Sequence, residues 1–205
     1  MVHYKLTYFD GRGSAEIIRY IFAISGDEYE DVRYSMDEWP SHKEEMPFHQ
    51  IPVLEVDGKQ LAQCHAICRF LARQFGLAGK SDFDAAMVDA ITDQCKDFYI
   101  ETTPYFRVAF GAIKGDKDDL KKSLFLPSRE KLFTYLTKIL KNNKSGYFVG
   151  DSLTWADLYL ACMADHAETV PEFYDGFPEM KAHSDRIRSI PALKEWIETR
   201  PKTAF

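Results

Sequence analysis

With 205 residues, the chain is long enough for one large domain or two small ones, and either would bury a real core. Its 45% hydrophobic and 28% charged residues make an ordinary globular composition. Twenty-six Lys and Arg against 32 Asp and Glu give a net charge of -6, the wrong sign for a general nucleic-acid binder, so small molecules or proteins are the expected partners.

The chain opens with MVHYKLTYF, in which His3, Lys5 and Thr7 alternate with Tyr4, Leu6 and Tyr8, a period-two strand and not the basic-then-apolar pattern of a secretory signal. A glycine-rich bridge follows. Ser14 is placed to cap a helix running through Ala15, Ile18, Ile21, Phe22 and Ser25 to a stop at Gly26. Residues 29–34 read as a second strand. After an irregular stretch, residues 53–63 carry a hairpin signal, two apolar runs joined at Asp57-Gly58. Residues 64–75 then form an amphipathic helix. The order βαβ followed by ββα predicts a small mixed sheet with helices packed on it.

GLAGKSD at 76–82 has the composition of a linker, and beyond it the strand signals vanish. Helices are predicted near 83–110, 120–143, 154–169, 179–189 and 191–198. In GDSLTWADLYLA, Thr154 as N-cap with Asp157 three residues on makes a capping box with Asp in the usual Glu position. No segment reaches the roughly 18 apolar residues of a membrane span. Four cysteines without a secretory signal point to reduced thiols in the cytoplasm. Cys64, His65 and Cys68 lie close together, but no second ligand pair with zinc-type spacing accompanies them, so no metal is expected.

YFDGRGSAEIIRY (8–20), MPFHQIPVLEVDG (46–58), QCHAI (63–67) and GDSLTWAD (150–157), in this order, resemble the cytosolic glutathione transferases, within them the sigma class in its invertebrate form. The resemblance spans the whole chain. It implies the glutathione transferase fold: an α/β thioredoxin-like domain at 1–76 that binds glutathione, a linker at 77–82, and an all-α domain at 83–205 that contributes the electrophile site. It further implies conjugation of the glutathione thiol to hydrophobic electrophiles, with peroxidase or isomerase side activity as a further expectation. The alternative is a non-catalytic protein that sequesters haem or other apolar ligands. No cofactor is expected, because glutathione is a co-substrate. A homodimer is, with the exposed-loop aromatic Phe48 inserting into its partner.

Residue by residue, the resemblance gives Tyr8 the catalytic role. Glutathione binding falls to Tyr8, Trp39, Lys43, Gln50, Ile51, Pro52, Gln63, Cys64 and Asp97, the last reaching the site of the other subunit. Ile51-Pro52 is expected to be cis, and Lys43 to pair with the glycyl carboxylate. Gln63 and Cys64 would hold the γ-glutamyl end, Cys64 standing where sigma enzymes commonly show Ser. Walls of the electrophile pocket would be Phe9, Tyr99, Tyr105, Phe106 and Phe205. Ser14 and the residues near Pro104 differ from the vertebrate prostaglandin-isomerising members, which weighs against that activity and leaves conjugation in place. The chemistry fits the residue types. A thiol of pKa ~8.5 is only a few per cent ionised at neutral pH. A hydrogen bond to a charged acceptor supplies ~1.5 to 3 kcal/mol, so one phenolic donor covers most of a two-unit lowering.

Overall fold

The computed structural model describes residues 2–203. The chain forms two compact units, one running to Leu77 and resuming from Ser189, the other Ala78–Arg188.

The first unit is built on a four-stranded sheet of order β2-β1-β3-β4. Strand β1 (Tyr4–Phe9) buries Tyr4, Leu6 and Tyr8 as the alternation requires. It runs parallel to β2 (Glu30–Tyr34), and a parallel neighbour needs a crossover, here helix α1 (Glu16–Ser25). Ile17, Ile18, Ile21 and Phe22 form the buried face of α1. The helix stops where Gly26 takes φ 75, donating its N–H to the Phe22 carbonyl. On its other side β1 pairs antiparallel with β3 (Val53–Val56), which turns back into β4 (Lys59–Ala62). Positive φ at both Asp57 (47°) and Gly58 (81°) gives the tight hairpin that the Asp-Gly pair predicts. Helix α3 (Cys64–Gln74) follows.

Two features of this unit depart from the sequence reading. Ser14 does not cap α1: it sits inside a single 3₁₀ turn, Gly13–Ala15, and Ala15 precedes the helix without a side-chain cap. The irregular stretch holds a one-turn helix, α2 (Trp39–His42), too short for any periodicity to reveal. The Ser35 amide and hydroxyl both donate to the Glu38 carboxylate, at 2.9 and 2.7 Å, and the Glu38 amide donates back to Ser35 Oγ. These bonds, the backbone one foremost, hold the Glu38 carboxyl below its usual range. This tie is therefore complete above the ordinary carboxylate range and is lost as pH falls through the lowered value.

The second unit is helical among its described residues. Helix α4 (Asp82–Ala109) starts at a full capping box between Ser81 and Asp84. Then come α5 (Lys117–Leu120), α6 (Leu126–Asn142), α7 (Trp155–Met163) and α8 (Pro178–Arg188). Phe98, Phe125, Phe133, Trp155 and Phe173 are buried in its core. The last helix, α9 (Pro191–Thr199), belongs to the first unit.

The capping box at the start of α7 is more than a helix start. Asp157 is fully buried, and its carboxylate accepts from the Thr154 amide (2.9 Å), the Thr154 hydroxyl (2.8 Å), the Phe148 amide (3.0 Å) and His183 Nε2 (2.9 Å). It ties the loop before α7 to α8. Replacing Asp157 with Ala leaves the buried His183 imidazole and two amides without this acceptor. The expected loss is about 3 to 5 kcal/mol of unfolding free energy in urea denaturation, well beyond the ~1 kcal/mol of an exposed cap.

Candidate active site

Tyr8 lies on the last turn of the β1 zigzag before the glycine bridge, and only 7% of it is exposed. Its hydroxyl oxygen accepts a hydrogen bond from the Ser14 amide at 3.1 Å, with Ser14 Oγ 3.4 Å away. The amide N–H is a pure donor, so it takes up one lone pair of the oxygen, and the phenolic proton is available to Ser14 Oγ or to an incoming acceptor. Gly13 makes this approach possible. It takes φ 39, and a Cβ built there would stand 2.5 Å from the Tyr8 hydroxyl. Only a residue without a side chain lets the backbone press against the phenol in this conformation.

The bridge is held from outside as well. Cys64, the first residue of α3, donates its Sγ proton to the Ser14 carbonyl at 3.0 Å. Its thiol is thus directed at the backbone beside Tyr8. At the other end of the bridge, Arg19 Nη1 donates to the Gly11 carbonyl at 2.7 Å.

Most of the other residues expected to hold glutathione belong to the first unit. Phe9 packs edge-on against both Tyr8 and Trp39, with ring centroids 5.5 and 5.6 Å apart. Trp39 and Ile51 pack on the buried cluster of Met46, Val53 and Ala62. The Ile51-Pro52 bond is cis, and Ile51 stands just ahead of the ladder, which begins at the Thr7–Val53 pair. Gln63 Nε2 donates to Gln50 Oε1 at 3.4 Å, joining two residues 13 apart. Gln63 also takes φ 74, a left-handed conformation that a residue with a side chain adopts at a cost, immediately before the first amides of α3. Lys43, at the end of α2, is exposed and makes no ion pair among the described residues.

The residues expected on the helical unit separate into two kinds. Tyr99 and Phe106 stack on one face of α4, centroids 5.8 Å apart, and Phe106 stacks in turn on the exposed Phe110. The Tyr99 hydroxyl meets His166 Nε2 at 2.8 Å, a partner that spacing gave no reason to expect. Tyr105, by contrast, is 3% exposed and packs 4.7 Å from Phe125, so it is a core residue and not a pocket wall. Asp97 is exposed and accepts from Gln94 Nε2 at 3.3 Å. Phe205 lies outside the described residues.

Residues 4–73 match the glutathione S-transferase N-terminal domain family and residues 100–200 the corresponding C-terminal domain family. Probable glutathione S-transferase 5 of Caenorhabditis elegans is 50% identical, with both chains covered in full. Among solved structures, monomeric Na-GST-3 of the hookworm Necator americanus is 62% identical with a TM-score of 0.97, covering 99% of this chain and all of that one. A Nu-class GST from Haemonchus contortus is 61% identical with a TM-score of 0.93 and complete coverage of both chains. The chain belongs to the glutathione S-transferase family.

Neither Gly13 nor the Ser14 amide stood out in the sequence, where GRG reads as a turn. Gly13→Ala tests their part. The added methyl must displace the phenol, so turnover is expected to fall about 10-fold or more while the melting temperature drops only modestly, since Gly13 itself is exposed. Steady-state kinetics with thermal denaturation of the same sample would read both; unchanged turnover would mean the close approach has no role.

Proposed function

We propose that this family member conjugates reduced glutathione to hydrophobic electrophiles, with Tyr8 as the catalytic residue. The observation that carries the reading is the Ser14 amide on the Tyr8 oxygen, which leaves the phenolic proton able to turn from Ser14 Oγ, a weak contact at 3.4 Å, to a sulfur anion. In the reaction the glutathione thiol gives its proton to solvent, and the Tyr8 O–H donates to the thiolate without leaving oxygen. The sulfur lone pair attacks the electrophilic carbon, forming the thioether, and the bonding pair of the broken bond leaves with the displaced group or moves into the substrate. Lys43 would pair with the glycyl carboxylate and Trp39 would flank it. The Ile51 backbone, freed by Pro52, would pair with the cysteinyl unit, and Gln50, Gln63 and the first amides of α3 would take the γ-glutamyl end. By the family resemblance, the apolar walls for the electrophile would be Phe9 of the first unit and, of the helical unit, Tyr99 and Phe106.

The class assignment is finer. The sequence motifs resemble the sigma class, but the Haemonchus neighbour described as Nu-class is 61% identical over the whole chain, which favours the nu reading. A cytoplasmic location is supported by four free cysteines, and no described helix is long and apolar enough to cross a membrane. For a homodimer, 61% exposure of Phe48 in a Pro-containing loop is the supporting feature, and the hookworm neighbour described as monomeric weighs against it.

Tyr8→Phe removes one atom and tests the reading. Turnover with a chromogenic aryl halide is expected to fall about 10- to 100-fold, with bound glutathione ionising at higher pH and binding nearly as tightly. Wild-type turnover and thiolate absorbance in the variant would remove Tyr8 from catalysis. A wild-type protein that binds apolar ligands without turnover would favour ligand storage instead. Light scattering on the same samples reads the assembly, a mass near one chain excluding the dimer.

A further inference from the structure

The glycine bridge that presents its amide to Tyr8 is fastened to a buried ionic cluster whose far end is the C-terminal helix. Glu16 and Arg19, in the first turns of α1, are 1% and 0% exposed. Arg19 Nη1 is shared: it donates to the Gly11 carbonyl at 2.7 Å and to Glu16 Oε2 at 3.2 Å. Its other edge is fixed by Asp31, which accepts from Nε at 3.3 Å and Nη2 at 3.2 Å and is itself shared with Arg33. The second Glu16 oxygen, Oε1, accepts from Trp196 Nε1 at 2.9 Å and from Arg200 Nη1 at 2.8 Å, while Arg200 also reaches the Tyr20 hydroxyl at 3.5 Å.

The geometry sets up a competition for one nitrogen. Gly11 and Glu16 both draw on Arg19 Nη1, and a buried carboxylate attracts a guanidinium more strongly than a carbonyl does. Trp196 and Arg200 occupy Oε1 and so satisfy much of the charge of Glu16. Without them its demand falls on Arg19 alone, and the Gly11 carbonyl is left with the weaker share. Gly11 is three residues from Ser14, inside the bridge whose amide contacts the phenol. We infer that α9, through Trp196 and Arg200 on Glu16, sets how firmly the 11–14 bridge holds its amide against Tyr8, making both residues positioning residues for thiolate formation. They sit far along the chain from the bridge and reach Glu16, which shares Arg19 with the Gly11 carbonyl.

This inference rests on the Tyr8 reading, so Tyr8→Phe is measured beside it. Trp196→Phe keeps an aromatic ring and removes the N–H; Arg200→Met keeps a long side chain and removes the charge, and Arg200→Lys restores a cation. At saturating glutathione, the kcat–pH profiles of Trp196→Phe and Arg200→Met should move up by about 0.5 to 1 pH unit, a threefold to tenfold loss at about pH 6.5 that recovers above about pH 9. Glutathione affinity should change by less than about twofold, since the groups that would grip the tripeptide are untouched. Arg200→Lys should lie close to wild type. A helix that only braces the fold would lower the melting temperature and leave the profile in place; that result, with Tyr8→Phe still impaired, overturns the inference. An unimpaired Tyr8→Phe instead removes the reading beneath it.

Discussion

A backbone amide pressed against a phenol oxygen is the constraint around which the first unit is arranged. The Ser14 N–H reaches Tyr8 only because Gly13 has no Cβ and takes a positive φ. That turn in turn must be gripped at both ends, by the Cys64 thiol on the Ser14 carbonyl and by Arg19 on the Gly11 carbonyl. Each anchor comes from a different element, α3 and α1, so the site depends on the sheet having brought those helices together. A neutral donor aimed at a developing or resident anion, in a place mostly shielded from water, is an effective stabiliser, which is the role proposed for Tyr8.

The two units solve the burial of charge in the same way. In the first, Glu16 is saturated by Arg19, Trp196 and Arg200; in the second, Asp157 is saturated by Thr154, Phe148 and His183. A buried carboxylate that accepts three or four hydrogen bonds joins elements distant in sequence and punishes loss of any one partner. The consequence differs by location. Asp157 fixes a loop and a helix within the helical unit, whereas Glu16 stands one residue beyond the turn that holds Tyr8.

Much of the fold was legible because it rests on local chemistry. Alternation in MVHYKLTYF, Gly26 as a helix stop, Asp57-Gly58 as a tight turn and Thr154 with Asp157 as a capping box each act within a few residues. The candidate site residues were picked out only through motifs in register. Ser14 misled, since a serine before an apolar helix normally caps it, whereas here its amide serves the phenol and Ala15 takes the cap position. Tyr105 misled for a related reason: it is adjacent to Phe106 in sequence, but successive helix positions point apart, and the core takes Tyr105 fully while Phe106 stays half-buried. The return of α9 to the first unit had no sequence signal, because Trp196 and Arg200 find Glu16 about 180 residues away, and long-range polar pairing leaves no periodic trace.

The proposed role of Tyr8 turns on where the glutathione sulfur lies and on what the phenol oxygen does when it is there. A crystal structure of the protein with reduced glutathione reads both. The expected result is sulfur within hydrogen-bond reach of the Tyr8 hydroxyl, with the Ser14 amide still donating to the same oxygen. Sulfur out of reach of Tyr8, or a phenol turned away to Ser14 Oγ while another donor holds the sulfur, would contradict it.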